Sequence, residues 1–84
     1  MFSAKISQLG RSLEDRLDPG LIEGALDYIQ YNEEPLAFEI LCDHISEYDV
    51  AITQNEYELI TQLIEDMKFD ISEAPFKYLI KLVS

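Results

Sequence analysis

The sequence predicts an all-α fold, a small antiparallel bundle of four to five helices that forms one domain over residues 1–84. Apolar residues recur at intervals of three and four along nearly the whole chain, which is the spacing of amphipathic helices. Helix-start signals recur with only short connections between them, and short connections favour antiparallel neighbours. With 84 residues and 48% hydrophobic content, the chain can fill one modest core but not two.

The first two helices are predicted at about residues 3–17 and 19–31. The first buries a regular apolar series, with Gly10 as a mild weak point; the series is Phe2, Ile6, Leu9, Leu13 and Leu17. Asp18 is placed as the N-cap of the second helix and Pro19 as its first residue. The second helix is expected to bury Leu21, Ile22, Ala25, Leu26 and Ile29, with Tyr28 in ordinary core packing.

The third helix, about residues 35–47, opens after Asn32-Glu33-Glu34-Pro35, where the two glutamates suit the positive end of the helix dipole. Its predicted inward residues are Ala37, Ile40, Leu41, His44, Ile45 and Tyr48. The fourth helix starts at a capping box, Thr53-Gln54-Asn55-Glu56, with Ile52 and Tyr57 as its hydrophobic staple. Its buried face is Tyr57, Ile60, Leu63, Ile64 and Met67.

The tail is predicted as a short fifth helix, capped within residues 72–75. This helix would bury Phe76, Leu79, Ile80 and Val83. A strand over residues 76–83 is the alternative, and it is disfavoured because the sequence offers no second strand to pair with it.

Charge is distributed very unevenly along the chain. Between Leu17 and Met67 there are thirteen carboxylates and no lysine or arginine, and all six cations lie in the two ends. The net charge of −11 makes the folded surface repel itself, which a basic partner would relieve. The same acidity argues against direct binding to nucleic acid or to an anionic membrane surface.

The remaining composition predicts a cytoplasmic protein. The single cysteine, Cys42, rules out an internal disulfide and favours a reducing compartment. The N-terminal residues lack an apolar segment of signal-peptide length, and no run approaches the roughly 18 apolar residues of a membrane span.

The sequence gives little support for an enzyme, and neither a cofactor nor a metal is expected. His44 falls in the apolar arc of the third helix and is expected to be a partly buried, hydrogen-bonded structural residue. Cys42, at the edge of that arc, is expected to be inert. The run Cys42-Asp43-His44 does not predict a metal site, because adjacent helical positions point about 100° apart. No phosphate loop, nucleophile elbow, zinc spacing or calcium loop is present.

Two acidic stripes predict a partner-binding surface on the second and third helices. Carboxylates at i, i+4 and i+8 of the third helix lie opposite its buried arc, and like charges at this spacing cost about 0.5–1 kcal/mol for the two pairs. A similar stripe on the second helix is continued by an exposed tyrosine, which is typical of aromatic anchors in interfaces. The predicted contact residues are Glu23, Asp27, Tyr31, Glu33, Glu34, Glu39, Asp43 and Glu47.

The segment from Tyr28 to Phe69 resembles the MafI-type immunity proteins of bacterial polymorphic toxin and contact-dependent inhibition systems. The likeness begins with YNEEPLAFEILCD at residues 31–43, where an Asn/Glu turn leads into an "LA-x-E-x-L-C-D" helix. It continues with EYDVAIT at residues 47–53 and with Glu56-Tyr57 at the capped helix. About half of the chain is covered, and residues 1–20 and those after Asp70 do not contribute.

The resemblance implies a protein that protects its producer by binding and neutralising one toxin domain, commonly a nuclease. Because nucleases carry basic clefts for phosphate, an acidic inhibitor would be steered towards such a cleft. The leading prediction is therefore stoichiometric inhibition of a basic cognate toxin domain, without catalysis. A nucleic-acid mimic that inhibits a host or phage protein and a small regulatory helical adaptor are the alternatives.

Overall fold

The structure, a computed structural model that describes residues 1–84, is all-α, as predicted. Four helices pack around one hydrophobic core: α1 (Ser3–Ser12), α2 (Pro19–Leu26), α3 (Glu34–Glu47) and α4 (Gln54–Asp66). Three short 3₁₀ turns complete the chain, at Asp27–Tyr31, Phe76–Tyr78 and Ile80–Leu82. None of these helices has the length and apolar character needed to cross a membrane.

The predicted starts of α2 and α4 are confirmed. Asp18 caps α2 by accepting a hydrogen bond from the Gly20 N–H at 3.0 Å, and Pro19 is the first helical residue. At α4 the Thr53 hydroxyl accepts from the Glu56 N–H at 3.0 Å, while the Glu56 carboxylate accepts from the Thr53 N–H at 2.8 Å. The capping box therefore satisfies two backbone donors that the helix itself leaves free.

The 3₁₀ turn after α2, helix α3 and helix α4 are each followed within two residues by a residue in the left-handed conformation, and none of these residues is glycine. Asn32, Asp49 and Lys68 have φ of 62°, 49° and 63°. After Lys68, the Phe69 N–H reaches back to the Ile64 carbonyl at 2.9 Å, which is the long hydrogen bond of a Schellman motif. Equivalent bonds follow Asn32 and Asp49, so each of these three ends reverses the chain sharply.

The first helix is shorter than predicted. It ends at Ser12 rather than at residue 17, and residues 13–16 form turns. Leu13 and Leu17 are nevertheless buried, as their spacing predicted, and the Leu17 N–H still bonds to the Leu13 carbonyl at 2.9 Å. The apolar period persists through these turns, so hydrophobic spacing alone could not mark the helix end.

The second helix changes its winding before its predicted end. From Asp27 to Tyr31 it tightens to a 3₁₀ turn, in which residues three apart are eclipsed. Of these five residues only Ile29 packs against the core. Tyr28 is therefore 39% exposed, and its predicted core packing is wrong.

The buried face of α3 is rotated relative to the prediction. Phe38 and Cys42 are fully buried, whereas Tyr48, predicted inward, is 55% exposed. Phe38 is buried because the C-terminal part of the chain covers the side of α3 on which it lies. The Phe38 ring lies 6.0 Å from that of Phe69 and 5.8 Å from that of Phe76, measured between centroids.

The predicted fifth helix is absent, because the tail forms only two 3₁₀ turns and then pairs with another segment. Ile52, between α3 and α4, makes an isolated parallel bridge with Val83. Its N–H donates to the Leu82 carbonyl and its own carbonyl accepts from the Ser84 N–H, both at 3.0 Å. The tail thus has an extended partner after all.

The burial expected for the tail is only partly correct. Phe76 and Leu79 are buried as predicted, and Val83 is partly buried. Ile80 is 57% exposed, contrary to the prediction. A helix would have brought Ile80 to the same face as Phe76, four residues earlier, but the interrupted 3₁₀ winding does not.

Two glycines in α-helices are expected to respond oppositely to substitution by alanine. A Cβ on Gly10 would lie 3.0 Å from Leu26 Cδ1 and 3.2 Å from Ile22 Cγ2, whereas a Cβ on Gly24 would meet nothing within 4 Å. Gly24→Ala should raise the free energy of unfolding by about 0.5–1 kcal/mol through helix propensity. Gly10→Ala should lower it by about 1 kcal/mol, since overpacking outweighs the same propensity gain.

Chemical denaturation of the two variants beside the wild type measures both effects. Each variant is the other's control, because the substitution is identical and only the surroundings differ. Stabilisation by Gly10→Ala as large as that by Gly24→Ala would show that α1 and α2 are not in close contact at Gly10.

Candidate partner-binding surface

The predicted contact residues lie along one continuous stretch of the fold. Glu23 is on α2, Asp27 and Tyr31 are in the 3₁₀ turn, Glu33 precedes α3, and the other four are on α3. Both α2 and the turn pack directly against α3. Among the seven carboxylates of this set, some form ion pairs with cations of the same molecule and the others do not.

Glu23 is engaged by a cation from α1. The Arg11 guanidinium bonds to Glu23 and, at 3.0 Å, to Glu14. The hydrogen bond from Arg11 lowers the pKa of Glu23. All three side chains are solvent-exposed, so this pairing stabilises the fold little, but it reduces the charge that Glu23 offers to a partner.

Glu34 is engaged by the N-terminal residues. One of its oxygens accepts hydrogen bonds from the Met1 amino group and the Phe2 N–H, each at 3.0 Å, and also from the Ser3 hydroxyl. The bond from Ser3, followed by that from the amino group, lowers the pKa of Glu34. The Glu34 side chain is only 15% exposed. It therefore fixes the start of α1 to the start of α3.

The α3 stripe, defined as Glu39, Asp43 and Glu47, has no intramolecular cation. None of its carboxylates forms an ion pair, and no lysine side chain of the protein is paired with a carboxylate. Asp43 and Glu47 are exposed, and Glu39 is partly exposed. The stripe thus lies on the outer face of α3 without a paired cation.

Asp43 and Glu47 also line a groove of about 400 Å³ between α3 and the C-terminal turns. Tyr78 contributes to the groove from the tail, and the Lys77 and Lys81 ammonium groups lie 5.1 and 5.3 Å from the centroid of its ring. Both lysines thus make cation–π contacts with Tyr78, and neither forms an ion pair with a carboxylate.

His44 lines the same groove and is partly buried, as predicted. Its Nδ1 atom is buried without a hydrogen-bond partner, so the predicted hydrogen bonding is wrong for this nitrogen. The His44 ring instead packs near that of Tyr48, with 6.2 Å between centroids.

The neighbouring cysteine is shielded from solvent. Cys42 is fully buried, and this burial raises the pKa of its thiol well above the ordinary value. A thiol that stays protonated is a poor nucleophile and metal ligand. No group of three or more histidine, cysteine, aspartate or glutamate side chains is placed to hold a metal ion.

The strongest electrostatic contact of the fold was missed from the sequence. The Arg16 guanidinium forms a two-pronged pair with the Glu56 carboxylate, at 2.8 and 2.7 Å. The bonds from Arg16 lower the pKa of Glu56 to about 2, and the pKa of Arg16 is raised in turn. Glu56 is therefore more than a capping residue, because it joins α4 to the turn that follows α1.

Comparison with known proteins gives no relative for this chain: no family model, curated protein or solved structure matches it. The likeness to MafI-type immunity proteins therefore rests on residues 28–69 of the sequence alone.

Proposed function

We propose that this chain is an immunity protein that binds a basic toxin domain of its own producer and neutralises it stoichiometrically. The toxin is proposed to be a nuclease, and the immunity protein acts by binding, with neither catalysis nor a cofactor. The observation that carries the proposal is the α3 stripe, three carboxylates on one helix face that no cation of the molecule balances.

The cost of the stripe supports a role in binding. Like charges at i and i+4 destabilise α3, and a surface that served solubility alone would mix both signs. Four lysines are available in the chain, and two of them lie over the ring of Tyr78, a groove residue, without pairing with the stripe. A basic partner surface would relieve the repulsion that the fold leaves in place.

The residues that carry the family likeness divide between the core and the surface. Ala37, Leu41 and Cys42 are fully buried, so packing accounts for them. Packing does not require Glu39 and Asp43, which belong to the stripe. These acidic positions support the idea that the likeness reflects a shared way of binding as well as a shared helix.

Electrostatic steering supplies the mechanism. A nuclease domain holds its substrate in a cleft of positive potential, and an acidic inhibitor is drawn to that cleft at rates that fall with ionic strength. Once bound, the inhibitor excludes the nucleic acid from the cleft. Association is therefore expected to be salt-sensitive.

Charge reversal on α3 tests the proposal. We expect Glu39→Lys with Asp43→Lys to weaken binding to the co-encoded toxin domain by about 100-fold at low salt, with a smaller loss at moderate salt. The matched control is Glu65→Lys with Asp66→Lys, which makes the same change in net charge on exposed residues at the end of α4. Titration calorimetry at two ionic strengths gives both affinities.

Two results would argue against the proposal. Equal losses in the two double variants would mean that only net charge matters, without a docking face on α3. Inhibition of several unrelated nucleases by the wild type would favour the nucleic-acid mimic, since an immunity protein should respond to one toxin.

A further inference from the structure

The 3₁₀ turn that follows α2 presents two tyrosines to solvent on one side. Tyr28 is 39% exposed and Tyr31 67% exposed. Three residues complete one turn of a 3₁₀ helix, so these two residues lie on the same side of the turn. Ile29 is directed into the core by the same winding and anchors the turn.

The turn is held in this shape by its own backbone. The Asn32 N–H donates to the Ile29 carbonyl at 3.0 Å, and the Glu33 N–H donates to the Tyr28 carbonyl at 3.1 Å. Asn32 adopts the left-handed conformation that this closure requires. Little backbone entropy would therefore be lost when a partner contacts the two rings.

Carboxylates flank the pair in the sequence, and neither is paired with a cation. Asp27 lies on the same side of the turn as Gln30, three residues later, and accepts a hydrogen bond from the Gln30 side-chain amide. Asp27 has no cation partner. Glu33 follows the turn and is also exposed and without an ion pair. The turn therefore offers two aromatic rings with an acidic residue at each end.

We propose that Tyr28 and Tyr31 form a paired aromatic anchor for an arginine side chain on the partner protein, with Asp27 and Glu33 binding the guanidinium. This inference rests on the proposed function, because it names what the basic partner presents at this part of the surface. Arginine fits better than lysine, since its planar guanidinium stacks on aromatic rings and forms two-pronged bonds with carboxylates.

A short cationic peptide can test the anchor without the toxin. The probe is an amidated hexapeptide of alternating glycine and arginine, and its counterpart carries lysine at the same positions. At about 0.15 M ionic strength we expect the arginine peptide to bind about tenfold more tightly than the lysine peptide. In NMR spectra it should shift the ring protons of Tyr28 and Tyr31.

The variants leave the net charge unchanged. Tyr28→Ala with Tyr31→Ala should abolish the preference for arginine, whereas Tyr48→Ala should retain it. Tyr48 is a fitting control because it is 55% exposed and next to Asp49, but outside the turn. Circular dichroism verifies that each variant is folded.

The proposal is overturned if both peptides bind equally well, since charge alone would then explain binding. It is also overturned if the double variant keeps the arginine preference, or if sedimentation shows a wild-type dimer that the double variant loses. A toxin that depends on the α3 stripe but tolerates the tyrosine variant would contradict the anchor alone. If toxin binding is unchanged by the α3-stripe variant, the proposed function is contradicted, whereas the arginine preference measured with the peptides is unaffected.

Discussion

Replacing Glu56 by glutamine is expected to lower the free energy of unfolding by about 2–3 kcal/mol at neutral pH. The Glu56 carboxylate is 10% exposed and accepts hydrogen bonds from both outer nitrogens of Arg16 and from the Thr53 N–H. Glutamine has nearly the same shape but turns one acceptor oxygen into a donor that faces the guanidinium. Arg16 would then lose part of its charge compensation in a poorly hydrated position.

The effect should depend on pH in a defined direction. The pKa of Glu56 is about 2 in the folded protein, below its ordinary value of 4.5, so the folded state favours the charged form. Its contribution, about 3 kcal/mol from the size of this shift, is complete above pH 4.5 and is lost as the pH falls towards 2. The gap in stability between wild type and Glu56→Gln should therefore close over that interval.

Urea denaturation at several pH values between 7 and 2.5 measures this gap. Comparing the two proteins at each pH matters, because protonation of the many exposed carboxylates also relieves repulsion and changes the stability of both. Glu58→Gln is the matched control on the same helix, since Glu58 is exposed and its carboxylate accepts a single hydrogen bond, from the Gln54 amide at 3.3 Å. We expect it to change stability by less than about 0.5 kcal/mol. A constant gap at all pH values would contradict the assigned role of Glu56.

Local signals in the sequence were sufficient for much of the fold. The caps at Asp18 and Thr53 were predicted correctly, because each depends on residues only two or three positions apart. The same sequence pattern identified Glu56 as a capping residue. It could not identify the pair with Arg16, because the partners are 40 positions apart and meet only after the chain turns beyond α1.

The errors at Tyr28 and Phe38 have different physical origins. Tyr28 is exposed because the winding tightens at Asp27, and a 3.6-residue period does not anticipate a change of period. Phe38 is buried because Phe69 and Phe76 return to cover it, which no property of α3 alone could reveal. The first error is therefore local to the turn, whereas the second could be avoided only with knowledge of the tertiary structure.

The same distinction applies to the candidate surface. All eight predicted residues are in or beside α2, the 3₁₀ turn and α3, as their sequence positions required. Which of them are free for a partner depends on long-range contacts. Glu23 is paired with Arg11 and Glu34 with the N-terminal residues, so spacing along a helix overstated their availability.

Phe38→Ala is expected to be the most destabilising single substitution considered, with a loss of about 3–5 kcal/mol. Phe38 is fully buried, and its ring lies almost parallel to that of Phe76, with 16° between their planes. Phe69 and Phe76 also contact each other, at 5.0 Å between centroids. Truncation leaves a cavity beside the two remaining rings, which are fixed by different segments, so the site can collapse only in part.

Phe38→Leu provides a folded comparison if the alanine variant does not fold. It retains most of the volume, and we expect a loss of about 1–1.5 kcal/mol in urea denaturation. For a domain of this size the total stability is of the order of 4–13 kcal/mol, so the alanine variant should lie close to the limit of folding. Equal losses for leucine and alanine would contradict a cavity effect.

Hydrogen exchange distinguishes local from global loss of structure in the leucine variant. The tail contacts α3 through Phe76, and its bonds with Ile52 lie further along the chain. We expect amides near Leu79 and Leu82 to lose protection before those of α4, because the aromatic cluster holds the tail against the bundle. Uniform loss of protection would mean that the cluster stabilises the whole core equally. If protection is lost first in the tail, as expected, Phe38 holds in place the C-terminal turns that form one side of the groove. The groove beside the α3 stripe would then depend on a residue buried on another face of the same helix.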